Sequence, residues 1–395
     1  MGLVFNQDIV HLVPSQSIKY IEKAKIMKMQ GIDVIGLGGG DPDFPTPKRI
    51  CDAAYRGMTE GQNTHYTLGK GIPALRKKIA EKLNTENHIK CGDNNILVTP
   101  GGKLGIYNSV RAMINRGDEV LCLDPSWVSY APIVQASGGV PVSVGLTYED
   151  NYKITADKLN AVTTPKTKMI IINYPNNPTG RILHEDEAQE LVKYMNAHPN
   201  MILLSDEVYE KIIYDGHKHI SIGSYPEIAD RVITINGFSK CAAMTGWRLG
   251  YVCACDELMK PIAQLWEHIM TCTSGFIQDG GVEALDCHEE IEEMRKCYEE
   301  RRDAFIGALN KIPHVNCLYP EGAFYAWVKF DLPGMDSYQI CNYLLENAKV
   351  VGVPGDAYGL GGDQCLRFSF ANSMEDLMDA AGRIEKALNE YNTSN

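Results

Sequence analysis

Between residues 96 and 254 seven short apolar runs recur, at 96–99, 120–123, 140–144, 169–173, 201–205, 232–235 and 249–254. Amphipathic stretches at about 102–116, 126–137, 155–163 and 184–197 separate most of them. Short runs without polar alternation are buried on both faces, and helical crossovers between them favour parallel pairing. The pattern predicts an α/β fold, a mostly parallel seven-stranded sheet covered by helices in a three-layer large domain. Only a loop separates the last two runs, which leaves the seventh strand open to an antiparallel setting.

The flanks differ. Helical patterns at 17–30, 48–60 and 73–84 precede the alternation, the third with Pro73 at a permitted first-turn position. Beyond residue 256 the pattern turns helical, over 258–270 and 289–310. Strand-like runs follow at 323–330, 350–353 and 366–371, then a helix at 374–391. These describe a smaller α+β unit.

The net charge of −12, with basic residues spread along the chain, disfavours a nucleic-acid or anionic-membrane partner. No run approaches the roughly 18–20 apolar residues of a membrane span. The first residues lack a signal-peptide pattern, and Asn6 stands where N-myristoylation needs Ser or Thr. The twelve cysteines are scattered, Cys253-Ala254-Cys255 being the one closely spaced pair, with no further metal ligands nearby. Buried, reduced thiols and a cytoplasmic location are expected, with no metal site.

In open α/β sheets ligands bind beyond the strand carboxyl ends. The first run leads into Pro100-Gly101-Gly102-Lys103, whose backbone N–H groups at a helix start suit a phosphate. The fourth leads into Tyr174-Pro175-Asn176-Asn177-Pro178-Thr179-Gly180. The fifth ends in Ser205-Asp206-Glu207-Val208-Tyr209, where a carboxylate is costly unless paired. The sixth leads to Asn236-Gly237-Phe238-Ser239-Lys240, and Arg248 follows within Thr245-Gly246-Trp247-Arg248. A lone lysine or Gly-Gly turn in such places is ordinarily structural, and an arginine such as Arg367 in 366–370 is ordinarily a surface residue. Together they describe one chemistry. A cofactor aldehyde needs an amine, a pyridine nitrogen an anion, a phosphate donors and cations, and an amino-acid carboxylate a bidentate arginine.

The blocks NNPTG, SDEVY, SKxxxMTGWRLGY and RFSFA stand in that order at 176–180, 205–209, 239–251 and 367–371. In them the chain, over about residues 14–390, resembles the class I aminotransferases, pyridoxal 5'-phosphate enzymes of fold type I. The resemblance implies that residues 1–45 join a small domain of 286–395 and that 46–285 form the large, cofactor-binding domain. It implies that Lys240 is the Schiff-base lysine and then the proton-moving base. Asp206 would pair with the pyridinium nitrogen, Tyr209 and Asn177 with the phenolate oxygen, and Trp127 with the ring face. Gly102, Lys103, Ser239, less certainly Gly237, and Arg248 resemble the phosphate cup. Arg367 resembles the α-carboxylate clamp, assisted by Asn177 and the backbone of Gly40. Tyr66 resembles a tyrosine reaching the cofactor phosphate of a neighbouring subunit, which implies a homodimer with shared sites.

The Gly101-Gly102-Lys103 turn, Trp127-Val128-Ser129-Tyr130 and Pro14-Ser15-x-Ser17 resemble a branch of bacterial aspartate aminotransferases, some acting on prephenate. In that branch the turn lysine helps receive the substrate's distal carboxylate; here Lys103 could equally be a phosphate counter-ion. The glycine-rich Gly38-Gly39-Gly40 and the extra charge of Lys70 depart from the usual pattern and bear on specificity. The leading expectation is amino transfer between an L-amino acid and a 2-oxo acid in a ping-pong cycle, with aspartate as donor. Alanine, aromatic or other neutral donors and prephenate remain alternatives. A C–S β-lyase on the same scaffold is less favoured. A non-enzymatic DNA-binding regulator is less favoured still, since the first 45 residues are too few and too rich in Gly and Pro for a helix-turn-helix.

Overall fold

The computed structural model describes residues 3–14, 16–61 and 63–394; Ser15 of the Pro14-Ser15-x-Ser17 stretch lies outside them. All seven apolar runs become strands of one sheet. They are β1 (Ile96–Thr99), β2 (Glu119–Asp124), β3 (Val140–Gly145), β4 (Thr167–Asn173), β5 (Ile202–Asp206), β6 (Val232–Gly237) and β7 (Gly250–Cys253). Their order is β1-β7-β6-β5-β4-β2-β3. The ladders from β6 through β5, β4 and β2 to β3 are parallel, whereas β7 runs antiparallel to both β1 and β6. Among the described residues β7 is the sole ladder partner of the edge strand β1.

The period-two geometry of a strand divides the apolar residues between two faces. Leu121, Leu123, Ile170, Ile172 and Leu203 join one core, while Val120, Cys122, Met169, Ile171 and Leu204 join the opposite one. Both faces are covered, which is why these strands read as continuous apolar runs.

Helix boundaries depart from the periodicity in instructive ways. The stretch expected to be helical from 126 starts its helix only at Tyr130, after a turn through Trp127. The expected helix at 155–163 shortens to Ala156–Asn160. Helix Gly275–Ala284 was not expected, because its three glycines lower helix propensity. Close packing accounts for it: the helix lies tightly on helix Lys48–Thr59, and a Cβ on Gly281 would come within 2.5 Å of Leu249.

Beyond helix His288–Leu309 the chain forms β8 (Val315–Cys317), β9 (Tyr325–Phe330), β10 (Val353–Pro354) and β11 (Cys365–Ser369). They make a four-stranded antiparallel sheet in the order β10-β11-β9-β8. The single run expected at 350–353 is split. Val350–Val351 pairs in parallel with Ile35–Gly36, while Val353 joins β11. Gly352 makes the break, since a Cβ there would lie 2.6 Å from Phe368. The N-terminal residues Tyr20, Ala24, Val34, Ile35 and Leu37 share a core with Phe324, Val328, Leu344 and Phe368. No helix among the described residues is long and apolar enough to cross a membrane.

Candidate active site

A cleft of about 570 Å³ opens where β4, β5 and β6 end, closed on its other side by the loop before residue 42 and by β9 and β11. Of the residues singled out in the sequence, Gly40, Gly102, Lys103, Trp127, Asn177, Asp206, Tyr209, Ser239, Lys240, Arg248 and Arg367 all line it. Tyr66 does not. It is 86% exposed and lies outside this cleft of its own chain.

The Lys240 ammonium donates to the carbonyl of Gly40 at 2.7 Å. Burial lowers its pKa to about 8; Asp41 opposes the shift, and Arg367 and Arg248 add to it. Lys240 is thus poised to lose its proton, the condition for a nucleophilic amine.

Asp206 ends β5 and is 4% exposed. Its Oδ2 accepts a hydrogen bond from the Tyr130 hydroxyl at 2.7 Å. Burial raises the carboxyl to about 6, while the Tyr130 hydrogen bond works against that rise. Tyr130, which the Trp127-Val128-Ser129-Tyr130 stretch does not single out, also lines the cleft. Asn173, at the end of β4, braces the same corner: its Nδ2 donates to the Asp206 carbonyl at 2.8 Å, and its Oδ1 accepts from the Asn177 amide at 2.9 Å.

Arg367 lies on β11, 4% exposed. Its Nη1 donates to Asn177 Oδ1 at 2.9 Å and its Nη2 to the carbonyl of Gly38 at 2.7 Å, while the buried Nε has no hydrogen-bond partner among the described residues. The guanidinium lies over the Tyr325 ring, 4.3 Å from its centroid. The Tyr325 hydroxyl stands 2.8 Å from that of Tyr209. Burial and then Tyr325 push the Tyr209 phenol well above its ordinary range. Tyr325 and the carbonyl of Gly38 had not been assigned roles. Tyr325 sits on an ordinary strand of the small unit, with no local signal of a site.

The Gly101-Gly102 turn caps helix Gly102–Met113. Gly101 has φ +81°, a backbone setting that favours glycine, and a Cβ there would stand 2.4 Å from the Arg248 guanidinium. Arg248 Nη1 is held by the carbonyl of Thr245 at 2.9 Å. The Lys103 ammonium lies 4.8 Å from the Trp127 ring centroid, and Lys103 is shifted downward by burial and then by Arg248. Helix N–H groups, Ser239 and these cations form a donor set suited to a phosphate. Lys70, by contrast, is tied to the carbonyl of Asn94 at 2.9 Å and does not line the cleft.

Amine, carboxylate, anion cup and arginine fork in one cleft of an α/β sheet define a class of enzymes, and the comparisons place the chain in it. A family profile described as "Aminotransferase class I and II" matches residues 32–384, and the chain belongs to that family. It is a transaminase. The aspartate aminotransferase of Musicola paradisiaca is 40% identical over 383 residues, 96% of this chain and 95% of that protein. A probable aspartate/prephenate aminotransferase of Aquifex aeolicus is 39% identical, covering 97% of this chain and 98% of the other. The crystal structure of the Rhizobium meliloti aspartate aminotransferase superposes with a TM-score of 0.94 at 35% identity, covering 98% and 99% of the two chains.

Proposed function

We propose that this chain is a pyridoxal 5'-phosphate-dependent aspartate aminotransferase, taking 2-oxoglutarate as acceptor. The cleft would lie between a large domain of residues 46–285 and a small one of residues 286–395 joined by 1–45. The observation that carries the reading is the convergence of Lys240, Asp206 and Arg367 on one cleft. The residues present fit the cofactor. A glycine turn whose Gly101 lies close against the Arg248 guanidinium forms one side, and a buried carboxylate stands at the strand end opposite. Gly102, Lys103, Ser239 and Arg248 would hold the phosphate, Asp206 the ring nitrogen, Tyr209 and Asn177 the phenolate oxygen, and Trp127 the ring face.

When bound, the cofactor supplies an aldehyde for amino exchange and an electron sink for the substrate Cα–H bond. The chain does the rest. Lys240 would supply the amine for the aldehyde and would be the base that moves the substrate Cα proton. Asp206 stays anionic beside a cationic ring nitrogen, since an opposite charge favours the ionised form. Arg367 orients the α-carboxylate with its planar fork. Tyr325 fixes the Tyr209 hydroxyl and packs under the Arg367 guanidinium. The strongly exposed Tyr66 supports a homodimer in which it reaches the partner's site, and the unpaired cysteines suit a cytoplasmic location.

The test is a half-reaction with a panel of amino acids, following absorbance as the bound cofactor passes from its aldehyde to its amine form. Aspartate should convert it fastest. Release of ammonia and a 2-oxo acid from cysteine conjugates without that conversion would mark a lyase instead.

Lys103, above Trp127 at the cleft wall, supports an acidic substrate, with its ammonium receiving the distal carboxylate. Lys103→Ala should cost aspartate and glutamate about fivefold in kcat/KM, the scale of an exposed ion pair, and alanine little. Equal losses would assign Lys103 to the phosphate. Tyr130→Phe removes the donor that holds Asp206 ionised. A hydrogen bond to a charged group is worth about 1.5–3 kcal/mol, so at least about tenfold weaker cofactor retention is expected. The acid limb of the rate profile should also move to higher pH. An unmoved limb would remove Tyr130 from this role.

A further inference from the structure

Asp124 is a buried carboxylate that the amino-transfer chemistry leaves unused. It ends β2 at 3% exposure, just before the turn that carries Trp127, and does not line the cleft. Resting on the reading of Arg367 as the α-carboxylate clamp, we propose that Asp124 is a positioning residue for that clamp. It pins the loop of residues 358–361 so that Tyr358 backs the Arg367 guanidinium.

The carboxylate holds two segments at once. Its Oδ1 accepts from the Ser126 hydroxyl at 2.7 Å, within its own turn. Its Oδ2 accepts from the backbone N–H of Leu360 at 3.2 Å, 236 residues further along the chain. A turn cap needs only the first bond; the second carries Asp124 across to the small unit. The backbone repeats the link, since the Ser126 N–H donates to the carbonyl of Tyr358 at 2.8 Å. Gly359, with φ +95°, lies flat against the carboxylate, and a Cβ there would overlap it. Burial raises the Asp124 carboxyl, and the donors from Ser143, Ser126 and Leu360 work against that rise.

The pinned loop ends under the clamp. Tyr358 is 1% exposed, and its ring centroid lies 5.3 Å from the Arg367 guanidinium carbon, which has the Tyr325 ring at 4.3 Å as well. Trp327 packs edge-on against Tyr358 at 5.5 Å. The Tyr358 hydroxyl has no hydrogen-bond partner among the described residues, so the ring face is what this residue offers. Arg367 is hydrogen-bonded through its Nη atoms alone, and the two aromatic faces therefore help set the tilt of its plane. A planar fork meets a carboxylate through two parallel bonds only when that tilt is right.

The experiment measures KM, and kcat per bound cofactor, for aspartate and alanine. The variants are Asp124→Ala, Tyr358→Leu, the two combined, and Arg367→Lys as reference. Each of the first two should raise KM about fivefold for both amino acids, the scale of one cation–aromatic contact, with kcat nearly unchanged. The combined variant should also stay near fivefold and not reach the product, because both changes remove the same contact. Asp124→Asn, which keeps an acceptor for Leu360, should recover most of the loss. Gly359→Ala, at an exposed position, should push the loop off an intact Asp124 and raise KM too, so a folding defect in Asp124→Ala does not shelter the idea. A purely structural Asp124 would lower the melting temperature and leave KM where it was. Unchanged KM in Gly359→Ala or Asp124→Ala, or losses that multiply in the combined variant, would overturn the pin. If Arg367→Lys raises KM for both amino acids while Asp124→Ala does not, the pin alone fails. If Arg367→Lys spares KM, the clamp falls and the pin with it.

Discussion

Replacing Lys240 by alanine should abolish the visible absorption of the lysine-bound cofactor and reduce turnover by at least about 10⁴-fold, the upper range for a single general acid–base group. The loss is this large because, in the proposed mechanism, one amine would carry two tasks, holding the aldehyde and moving the Cα proton. Folding should be little affected, since Lys240 contributes one hydrogen bond, to the Gly40 carbonyl. The wild type offers a companion measurement. Only the neutral amine attacks an aldehyde, and burial has brought Lys240 down to about 8. Cofactor uptake should therefore accelerate as pH rises through about 8 and level off above it. A Lys240→Ala variant that keeps both the band and the turnover would refute the assignment, as would uptake that is flat across that window.

The second large effect is expected from Arg367→Lys. A lysine keeps the charge but cannot present two parallel donors. Losing one charge-assisted hydrogen bond, worth about 1.5–3 kcal/mol, should raise KM about 10- to 100-fold for every amino acid, whatever its side chain. The variant also leaves Asn177 Oδ1 or the Gly38 carbonyl without its donor, and a buried ammonium lacks the planar stacking over Tyr325. A loss confined to one substrate would show that Arg367 reads the side chain and not the common carboxylate.

Much of this was legible in the sequence, for identifiable reasons. The seven strands of the large sheet could be read because burial on both faces leaves no polar alternation, and β5 shows it plainly, with every residue from Ile202 to Asp206 buried. The order of the strands was not legible. Nothing local tells β7 to insert between β1 and β6, although the short connection after Lys240 allowed its reversed direction. Asp206, a carboxylate closing an apolar run, stood out by itself, whereas Lys240, in the loop beyond β6, gained meaning only from its companions. Tyr130 and Tyr325 did not stand out, because a tyrosine at a helix start or in a strand of the small unit is ordinary core material until its partner is known. Their partners, Asp206 and Tyr209, lie 76 and 116 residues away along the chain. Lys70, a charge that also drew notice, donates to the carbonyl of Asn94 within its own chain.

The reversed strand also has a consequence for how the molecule comes into being. β1 has one ladder partner among the described residues, and that partner is made about 150 residues later. At ribosomal speeds of roughly 5–20 residues per second, the nascent chain carries an unpaired, mostly apolar strand for on the order of ten seconds. Such an edge is a template for pairing with other chains. The Gly101-Gly102 turn follows that strand directly, and Gly250 packs against its backbone. The Gly101-Gly102 turn therefore lacks this support in any chain too short to include β7, and the proposed phosphate cup would be complete only once β7 is in place.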